Sequence, residues 1–203
     1  MDPGHSALYA LLDERNAQPD EAARAAIDAR IRQRFGATRA VMIGDMSGFS
    51  RQTQDRGILH FLAVIRRMHC LLRPVIERHG QLTKWEADNL YASFSDSTSA
   101  IQAALDCQEA CREYNRTVSD AWQIVMSFGI GYGQVLDLDG SDFYGDEVNL
   151  ASKLGEDVAG KGQLLITQSA ADNAVLPGGW FLREHTVRVS RLELPYYSLE
   201  RTE

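Results

Sequence analysis

The segment Gly80-Gln81-Leu82-Thr83-Lys84-Trp85-Glu86-Ala87-Asp88-Asn89-Leu90-Tyr91-Ala92-Ser93-Phe94 contains two short strand-like runs that meet at Asp88-Asn89. Asp and Asn favour turns because their side chains bond nearby backbone groups and tolerate left-handed conformations. The segment therefore predicts a β-hairpin with a carboxylate at its tip. Side chains alternate across a strand, so Lys84, Glu86 and Asp88 would share one face, and Trp85 and Ala87 the other. The segment is either an ordinary solvated hairpin or a hairpin whose charged face is functional and whose other face packs on an apolar core.

The elements on either side of the hairpin predict a mixed α+β fold. A short apolar run in residues 39–50 predicts a buried strand that ends in a segment containing Asp and Gly. The other predicted elements are helices over 54–79 and 97–117, and strands over 122–130 and 133–138 that form a second hairpin through Gly131-Tyr132-Gly133. The order strand, helix, strand, strand, helix, strand is the ferredoxin-like βαββαβ pattern.

This topology brings two carboxylates together. A right-handed crossover makes the first two strands parallel, with the third strand between them and antiparallel to both. Asp45, at the exit of the first strand, is then expected near Asp88, although 43 positions separate them. Converging carboxylates bind hard divalent cations, and two metal ions can clamp the attacking and leaving oxygens of a phosphoryl displacement. The alternative is that Asp45 only ends a strand and Asp88 only caps a turn.

Further elements flank this core on both sides. Those after it are a helix over 145–159, a strand over 163–167, a short helix over 168–174, a turn at 177–179, and strands over 181–189 and 194–199. Before it, Pro19-Asp20-Glu21 opens a helix that Gly36 ends. We therefore divide the chain into an N-terminal helical leader, residues 1–38, which we expect to contact a dimer mate or partner, and a main domain, residues 39–203.

Composition limits the classes of function that are open. The 203 residues are 44% hydrophobic and carry a formal net charge of -7, which argues against general nucleic-acid binding because that relies on clustered Lys and Arg. No apolar run is long enough for a membrane span, and the N-terminus lacks the order of a signal peptide, so we expect a cytoplasmic protein.

Cys107 and Cys111 lie four positions apart on a predicted helix and are interpreted as reduced, core-facing thiols rather than as a metal or redox pair.

Four segments together resemble the catalytic domain of class III nucleotidyl (adenylate and guanylate) cyclases. They are Asp45-Met46-Ser47-Gly48-Phe49-Ser50, Lys84 to Asp88, Phe128 to Gly133, and Asp142-Phe143-Tyr144-Gly145 with Val148 to Leu154. The resemblance spans about residues 39–200. It implies the class III cyclase fold and conversion of a nucleoside triphosphate to its 3′,5′-cyclic monophosphate and pyrophosphate. It also implies a head-to-tail homodimer in which each site is built from both chains.

The resemblance also implies roles for individual residues. Asp45 and Asp88 match the two metal-binding aspartates, with the Met46 carbonyl as an extra ligand, and together they would hold two Mg²⁺ or Mn²⁺ ions per site. Lys84 and Asp142 match the base-selecting positions in the combination associated with adenine. A Lys donor suits a ring nitrogen and an Asp acceptor suits an exocyclic amine.

The resemblance gives two further assignments. Asn149 matches the residue that orients the ribose, and Phe49 of the first motif is placed among the substrate-binding residues. Taken alone, Asn149 could equally be an ordinary polar position on a helix, just as Lys84 could be a solvated strand lysine.

Four positions depart from the family pattern or remain open. Lys153 stands where the family has a transition-state arginine, and it lacks the planar guanidinium fork. Gln134 replaces a phosphate-binding arginine of some members, and Arg191 either contacts the triphosphate or is a surface residue. Glu86 occupies a position that is commonly apolar, where it could tune metal or base binding or pair with Lys84.

The sequence as a whole predicts a homodimeric, metal-dependent adenylate cyclase that acts on ATP. The alternatives are the same reaction on GTP or a pyrimidine triphosphate, and a weakly active nucleotide-binding regulatory module.

Overall fold

The computed structural model describes residues 2–48, 56–189 and 192–202. Phe49 and Arg191, two of the residues assigned to substrate binding, lie outside the described residues, so their assignments stay predictions. Among the helices within the described ranges, none combines the length and the apolar character that a membrane crossing requires.

The described chain contains both helices and strands. The helices are α1 (Pro3–Asn16), α2 (Glu21–Phe35), α3 (Ile58–Ile76), α4 (Ser97–Asn115), α5 (Asp146–Ser152) and α6 (Gln168–Asp172). The strands are β1 (Gly36–Met46), β2 (Gln81–Glu86), β3 (Asn89–Phe94), β4 (Met126–Asp137), β5 (Phe143–Tyr144), β6 (Leu164–Thr167), β7 (Trp180–Val189) and β8 (Leu192–Arg201). A π-helical segment, Lys153–Val158, continues α5.

The strands within the described ranges form one sheet in the order β2-β3-β1-β4-β6-β8-β7, with the short β5 paired to β4. β3 lies between β2 and β1 and is antiparallel to both, as the sequence predicted. β1 and β4 pair antiparallel along their whole length, from Gly36 opposite Leu136 to Met46 opposite Met126. The βαββαβ core is therefore confirmed, with β6, β7 and β8 extending it.

The central strand β1 is buried on both faces of the sheet, because a separate apolar cluster covers each face. Ala40 and Met42 face the larger core cluster, which contains residues of α3 and α4. Val41 and Ile43 face a smaller cluster with residues of β4, β5 and α5. The alternation places helices on both sides of the strand that carries Asp45. Cys107 and Cys111 are buried in the larger cluster, as predicted.

The predicted hairpin through Gly131-Tyr132-Gly133 is wrong, because β4 runs unbroken from Met126 to Asp137. The glycines that suggested a turn serve close packing instead. A Cβ atom at Gly131 would lie 2.5 Å from the Glu147 carbonyl oxygen, and one at Gly129 would meet the Ala151 carbonyl and lie 2.5 Å from the Gly155 nitrogen. Contacts that short exclude any side chain, so the glycines let α5 and the π-helical segment lie directly on the strand.

The leader contains two helices where the sequence analysis found one. Asp20 caps α2 and Gly36 follows its end, as predicted, and β1 begins at Gly36, three residues before the predicted strand. The unpredicted α1 has Asp2 as its N-cap and a proline at its start. Both helices pack against the sheet through one apolar cluster, which consists of Leu8, Ile27, Ile31, Phe35 and Leu138.

The β2–β3 turn differs slightly from the prediction. The connection consists of Ala87 and Asp88 rather than Asp88 and Asn89, and Ala87 adopts a left-handed φ of 52°. A bulge between Leu82 and Lys84 shifts the pairing of β2 with β3. Asp88 thus stays at the tip of the hairpin, where the sequence placed it.

Candidate active site

Asp45 and Asp88 interact at one end of the sheet. Asp45 is the second-last residue of β1, and β3 follows the Asp88 turn directly and pairs with β1 through Leu90 and Gly44. Burial, followed by the charges of Asp88 and Glu156, raises the pKa of Asp45 to about 6. Burial also raises the pKa of Asp88. The charge of Asp88 therefore acts on Asp45, which supports the convergence that the topology predicts.

Glu156 is a third acidic group near Asp45, and the sequence analysis did not predict it. It lies on the π-helical segment, where it accepts hydrogen bonds from Ser152 Oγ at 2.9 Å and from Tyr91 Oη at 3.2 Å. Burial and then the Glu156 charge raise the pKa of Tyr91 to about 12. A π-helical turn changes which side chains point the same way, so an ordinary helical wheel does not place Glu156 beside the end of β1.

The donor set at this end of the sheet suits a hard divalent cation. Asp45 and Asp88 offer carboxylate oxygens, and the side chain of Met46 is buried in the core, which leaves only its backbone as the expected ligand. Within the described ranges, no three His, Cys, Asp or Glu side chains form a preassembled metal cluster.

Lys84 and Asp142 lie together, although 58 residues separate them in the chain. Lys84 Nζ lies 3.0 Å from Asp142 Oδ1 and 3.2 Å from Oδ2. Burial alone would lower the pKa of Lys84, but its hydrogen bonds with Glu86 and Asp142 leave that pKa raised. Burial alone would raise the pKa of Asp142, but the hydrogen bond from Lys84 leaves it lowered. Both groups are therefore charged at neutral pH.

Glu86 pairs with Lys84, which resolves one of the alternatives left open by the sequence. Its Oε1 lies 2.6 Å from Lys84 Nζ. The same ammonium lies 4.8 Å from the centre of the Tyr91 ring, whose hydroxyl reaches Glu156. Tyr91 thus lies between the Lys84 group and the acidic group around Asp45.

Asp142 has more partners than the sequence predicted. Its Oδ1 accepts from its neighbour, the Phe143 N–H, at 2.8 Å. Its Oδ2 also accepts from His5 Nε2 at 3.2 Å and from Tyr144 Oη at 3.3 Å. His5 belongs to α1, and no local pattern links it to a carboxylate 137 positions away.

The hairpin that carries Asp88 is supported from behind by α3. His69 stacks on Trp85 with ring centres 4.0 Å apart and an interplanar angle of 20°. Burial lowers the pKa of His69, although a backbone hydrogen bond with Ala87 acts in the opposite direction. The neutral ring therefore connects α3 to the residue next to Asp88, a role that the sequence analysis missed.

Asn149 and Lys153 lie on the helix that packs against β4. Asn149 is exposed on α5, and Lys153 begins the π-helical segment. Lys153 Nζ forms a 2.6 Å ion pair with Asp157 Oδ2. Gln134, which stands where some family members have an arginine, donates from Nε2 to Thr38 Oγ1 at 2.6 Å.

Comparison with solved structures identifies the fold as that of class III adenylyl and guanylyl cyclase catalytic domains. The guanylyl cyclase Cya2 superposes with a TM-score of 0.71 at 18% identity, over 83% of this chain and 94% of that chain. A rhodopsin-guanylyl cyclase core with converted specificity, in complex with ATPαS, gives 0.68 at 17% identity, over 83% and 99%. The adenylate/guanylate cyclase/hydrolase from Silicibacter pomeroyi gives 0.65 at 23% identity, over 83% and 98%.

No protein-family model matches the chain, and no curated protein matches it. The fold is thus shared at low identity, and the chemistry depends on the residues of this chain.

Proposed function

We propose that the chain is a nucleotide cyclase that converts ATP to 3′,5′-cyclic AMP and pyrophosphate at a site shared by two copies in a head-to-tail homodimer. The observation that carries the proposal is the interaction of Asp45 with Asp88 at one end of a cyclase-type sheet. Opposed carboxylates in a partly buried position favour a bound positive charge, which is what a triphosphate site needs.

Asp45, Asp88 and the Met46 carbonyl would hold two Mg²⁺ or Mn²⁺ ions. Such ions lower the pKa of the ribose 3′-hydroxyl and neutralise the triphosphate. Burial and the neighbouring negative charges raise the pKa of Asp45, and this fits the proposed occupancy because a cation would relieve the repulsion.

Lys84 and Asp142 would select the base. The Lys84 ammonium can donate to a ring nitrogen of adenine, and Asp142 can accept from the exocyclic amine. Guanine carries a carbonyl oxygen at the corresponding position, and that oxygen would face a carboxylate held ionised by Lys84. The pair therefore favours ATP over GTP.

The remaining residues would act on the sugar and the phosphates. Asn149 orients the ribose so that the 3′-oxygen attacks the α-phosphorus in line with the departing pyrophosphate. Lys153 neutralises charge that develops on the phosphorus-bound oxygens, but as a compact ammonium it lacks the two-pronged donor geometry of arginine. Losing one preorganised donor typically costs about 10²-fold in rate, so we expect slow turnover.

The test is incubation of the purified protein with Mn²⁺ and each of ATP, GTP, CTP and UTP, with cyclic product and pyrophosphate measured together. We expect ATP to be the best substrate. Asp45→Ala and Asp88→Ala should each lower turnover by at least about 10²-fold while leaving the fold intact. Asp172→Ala, which removes an exposed carboxylate on α6, is the matched control and should retain activity.

Two outcomes would contradict the proposal in different ways. If ATP is the poorest substrate, the roles of Lys84 and Asp142 are wrong. If both aspartate variants keep full activity, the two-metal assignment is wrong.

A nucleotide-binding regulatory module is the second candidate, and the Lys153 ion pair favours it. Asp157 holds the one basic group that the family pattern assigns to the transition state. This candidate predicts that the protein binds 3′-deoxy-ATP, which lacks the attacking hydroxyl, yet forms no cyclic product from any of the four triphosphates.

A further inference from the structure

The first turn of α1 is fixed to the loop that precedes Asp142. Asp2 Oδ1 accepts from Ser141 Oγ at 2.9 Å and from the Gly4 N–H at 2.9 Å. Gly4 is buried, and a Cβ atom there would lie 3.1 Å from the Leu138 carbonyl oxygen. This fit holds the start of the leader against one particular loop of the main domain.

The same fit places His5 on Asp142. His5 Nε2 lies 3.2 Å from Asp142 Oδ2, and the two side chains are only 21% and 10% exposed. Tyr144 Oη lies 3.3 Å from both groups. The His5 ring also makes an edge contact with Tyr9, with ring centres 6.0 Å apart. His5 is therefore held over the carboxylate by packing as well as by a hydrogen bond.

The acceptor positions of Asp142 are filled by its own chain. Oδ1 accepts from the Phe143 N–H and from Lys84, and Oδ2 is shared by Lys84, His5 and Tyr144. A carboxylate oxygen has about two lone-pair positions, so three donors already share what Oδ2 offers. An exocyclic amine can bond to Asp142 only if one of these donors withdraws.

His5 is the donor that can withdraw without dismantling the site. The Phe143 N–H is fixed in the backbone next to Asp142, and Lys84 is itself needed to contact the base. Tyr144 lies on β5 only two residues from Asp142, so it stays beside the carboxylate as long as β5 keeps its place. Among the donors within the described residues, His5 is the one that lies on the leader, and a small shift of the first turn of α1 would take its ring off Oδ2.

We propose that His5 is a specificity-determining residue that competes with the exocyclic amine of the base for Asp142 Oδ2. The inference rests on the proposed function of Lys84 and Asp142 as base-selecting residues. Docking of the first turn of α1 then opposes binding of a purine whose exocyclic amine is at C6, as in adenine. Guanine gains nothing from the same acceptor, because its corresponding atom is a carbonyl oxygen. His5 thus narrows the preference for ATP that Lys84 and Asp142 create.

The test compares His5→Ala and His5→Phe with the unaltered protein. Both variants remove the competing donor, and His5→Phe keeps an aromatic ring beside Tyr9 and Tyr144, which protects the packing of α1. The matched control is Ser6→Ala, the next residue on the same helix, which is exposed and whose hydroxyl donates to the Asp2 carbonyl. The readouts are KM and kcat for ATP and GTP with Mn²⁺, and calorimetric Kd values for 3′-deoxy-ATP and 3′-deoxy-GTP.

We expect both His5 variants to lower KM for ATP and Kd for 3′-deoxy-ATP about three- to tenfold, the effect of roughly one released hydrogen bond. The kcat should stay within about twofold, because His5 does not contact the reacting atoms. The guanine values and the Ser6→Ala values should stay unchanged. An unchanged or higher KM for ATP, or an equal shift for both nucleotides, would overturn the competition.

Hydrogen exchange gives a readout that does not depend on turnover. Because competition is reciprocal, 3′-deoxy-ATP should speed the exchange of backbone amides in Pro3–Asn16 of the full chain, whereas protection of that helix would contradict the proposal. If wild type binds and cyclises ATP and the His5 variants match it, only the competition fails. If wild type and variants bind no nucleotide, the proposed function fails with it.

Discussion

Asp45 concentrates negative charge at a partly buried position at the end of the central strand. Its pKa of about 6 lies above its ordinary value of 3.8, so the folded protein binds this proton more tightly than the unfolded chain does. The stabilisation that comes from protonated Asp45 is therefore fully present below pH 3.8, the ordinary pKa, and is lost as the pH rises through about 6.

The pH dependence of this contribution predicts how Asp45→Asn changes stability in the presence of a chelator. At pH 7.5 the variant should be more stable than wild type by about 1–2 kcal/mol, a figure reduced for solvent screening, because it removes a charge that burial and then the charges of Asp88 and Glu156 disfavour. Near pH 4 the difference should vanish. Urea unfolding across this pH range measures the difference, and equal stability at pH 7.5 would contradict a penalty on the Asp45 charge from burial and its acidic neighbours.

Single residues differ in how far the sequence could predict them. Asp45, Asp88, Lys84 and Asp142 stood in recognisable motifs, and the structure brings each expected pair together. His5 had no signal, because its contact depends on how a leader helix docks on a loop far along the chain. The contact of His5 with Asp142 is visible only in the folded structure.

At the scale of elements, the contact of β4 with α5 and the π-helical segment positions part of the site. Gly129 and Gly155 allow the backbones to meet, and a Cβ atom at Gly155 would lie 2.7 Å from the Ile43 carbonyl oxygen of β1. This close approach brings the π-helical segment, with Glu156, beside the end of β1. The glycines of β4 are therefore packing positions, which is why a pattern that resembled a turn misled the sequence prediction.

Gly129→Ala tests this contact. The added methyl group would collide with the backbone at Ala151 and Gly155, which cannot rotate away, so the free energy of unfolding should fall by about 1–3 kcal/mol or more. Thermal or urea unfolding measures the change.

The control is Gly178→Ala, since a Cβ atom there meets nothing within 4 Å. It should leave stability within about 0.5 kcal/mol of wild type. If the two variants behave alike, the close packing on β4 is not what these glycines provide.

The order of elements was more predictable than their ends. Helical and strand periodicities located the βαββαβ core and the strands after it, because its helices have one apolar face and its buried strands are continuous apolar runs. The start of α1 carried a usable signal, an Asp before a Pro at the helix start, but the polar composition of the leader hid it.

At the scale of the whole molecule, the residues proposed for one reaction fall into two groups in each chain. Asp45 interacts with Asp88 and Glu156, whereas Lys84 interacts with Asp142 and Glu86. A head-to-tail dimer would bring the first group of one copy to the second group of the other.

Mixing inactive variants tests this arrangement. Asp45→Ala and Lys84→Ala should each lose most of their ATP turnover alone, whereas an equimolar mixture should regain about a quarter of wild-type activity. Half of randomly formed dimers are mixed, and each of these has one intact site out of two. Turnover of ATP after subunit exchange measures the recovery.

The matched control mixes Asp45→Ala with Asp88→Ala. Both changes fall in the same group, so every site in every dimer stays defective and no activity should return. Equal recovery in the two mixtures, or none in the first, would count against a shared site.

The direct junction between α2 and β1 limits how the leader can be exchanged. Phe35 ends the helix and Gly36 begins the strand, so no flexible linker separates the two. Adding or removing one residue in α2 would rotate everything upstream by about 100° around the helix axis. Seven residues make nearly two full turns and would almost restore the original direction. A different helical module could therefore replace this leader only if its length preserved the direction in which the upstream residues leave the helix. The junction thus restricts which helical modules can be fused to this domain.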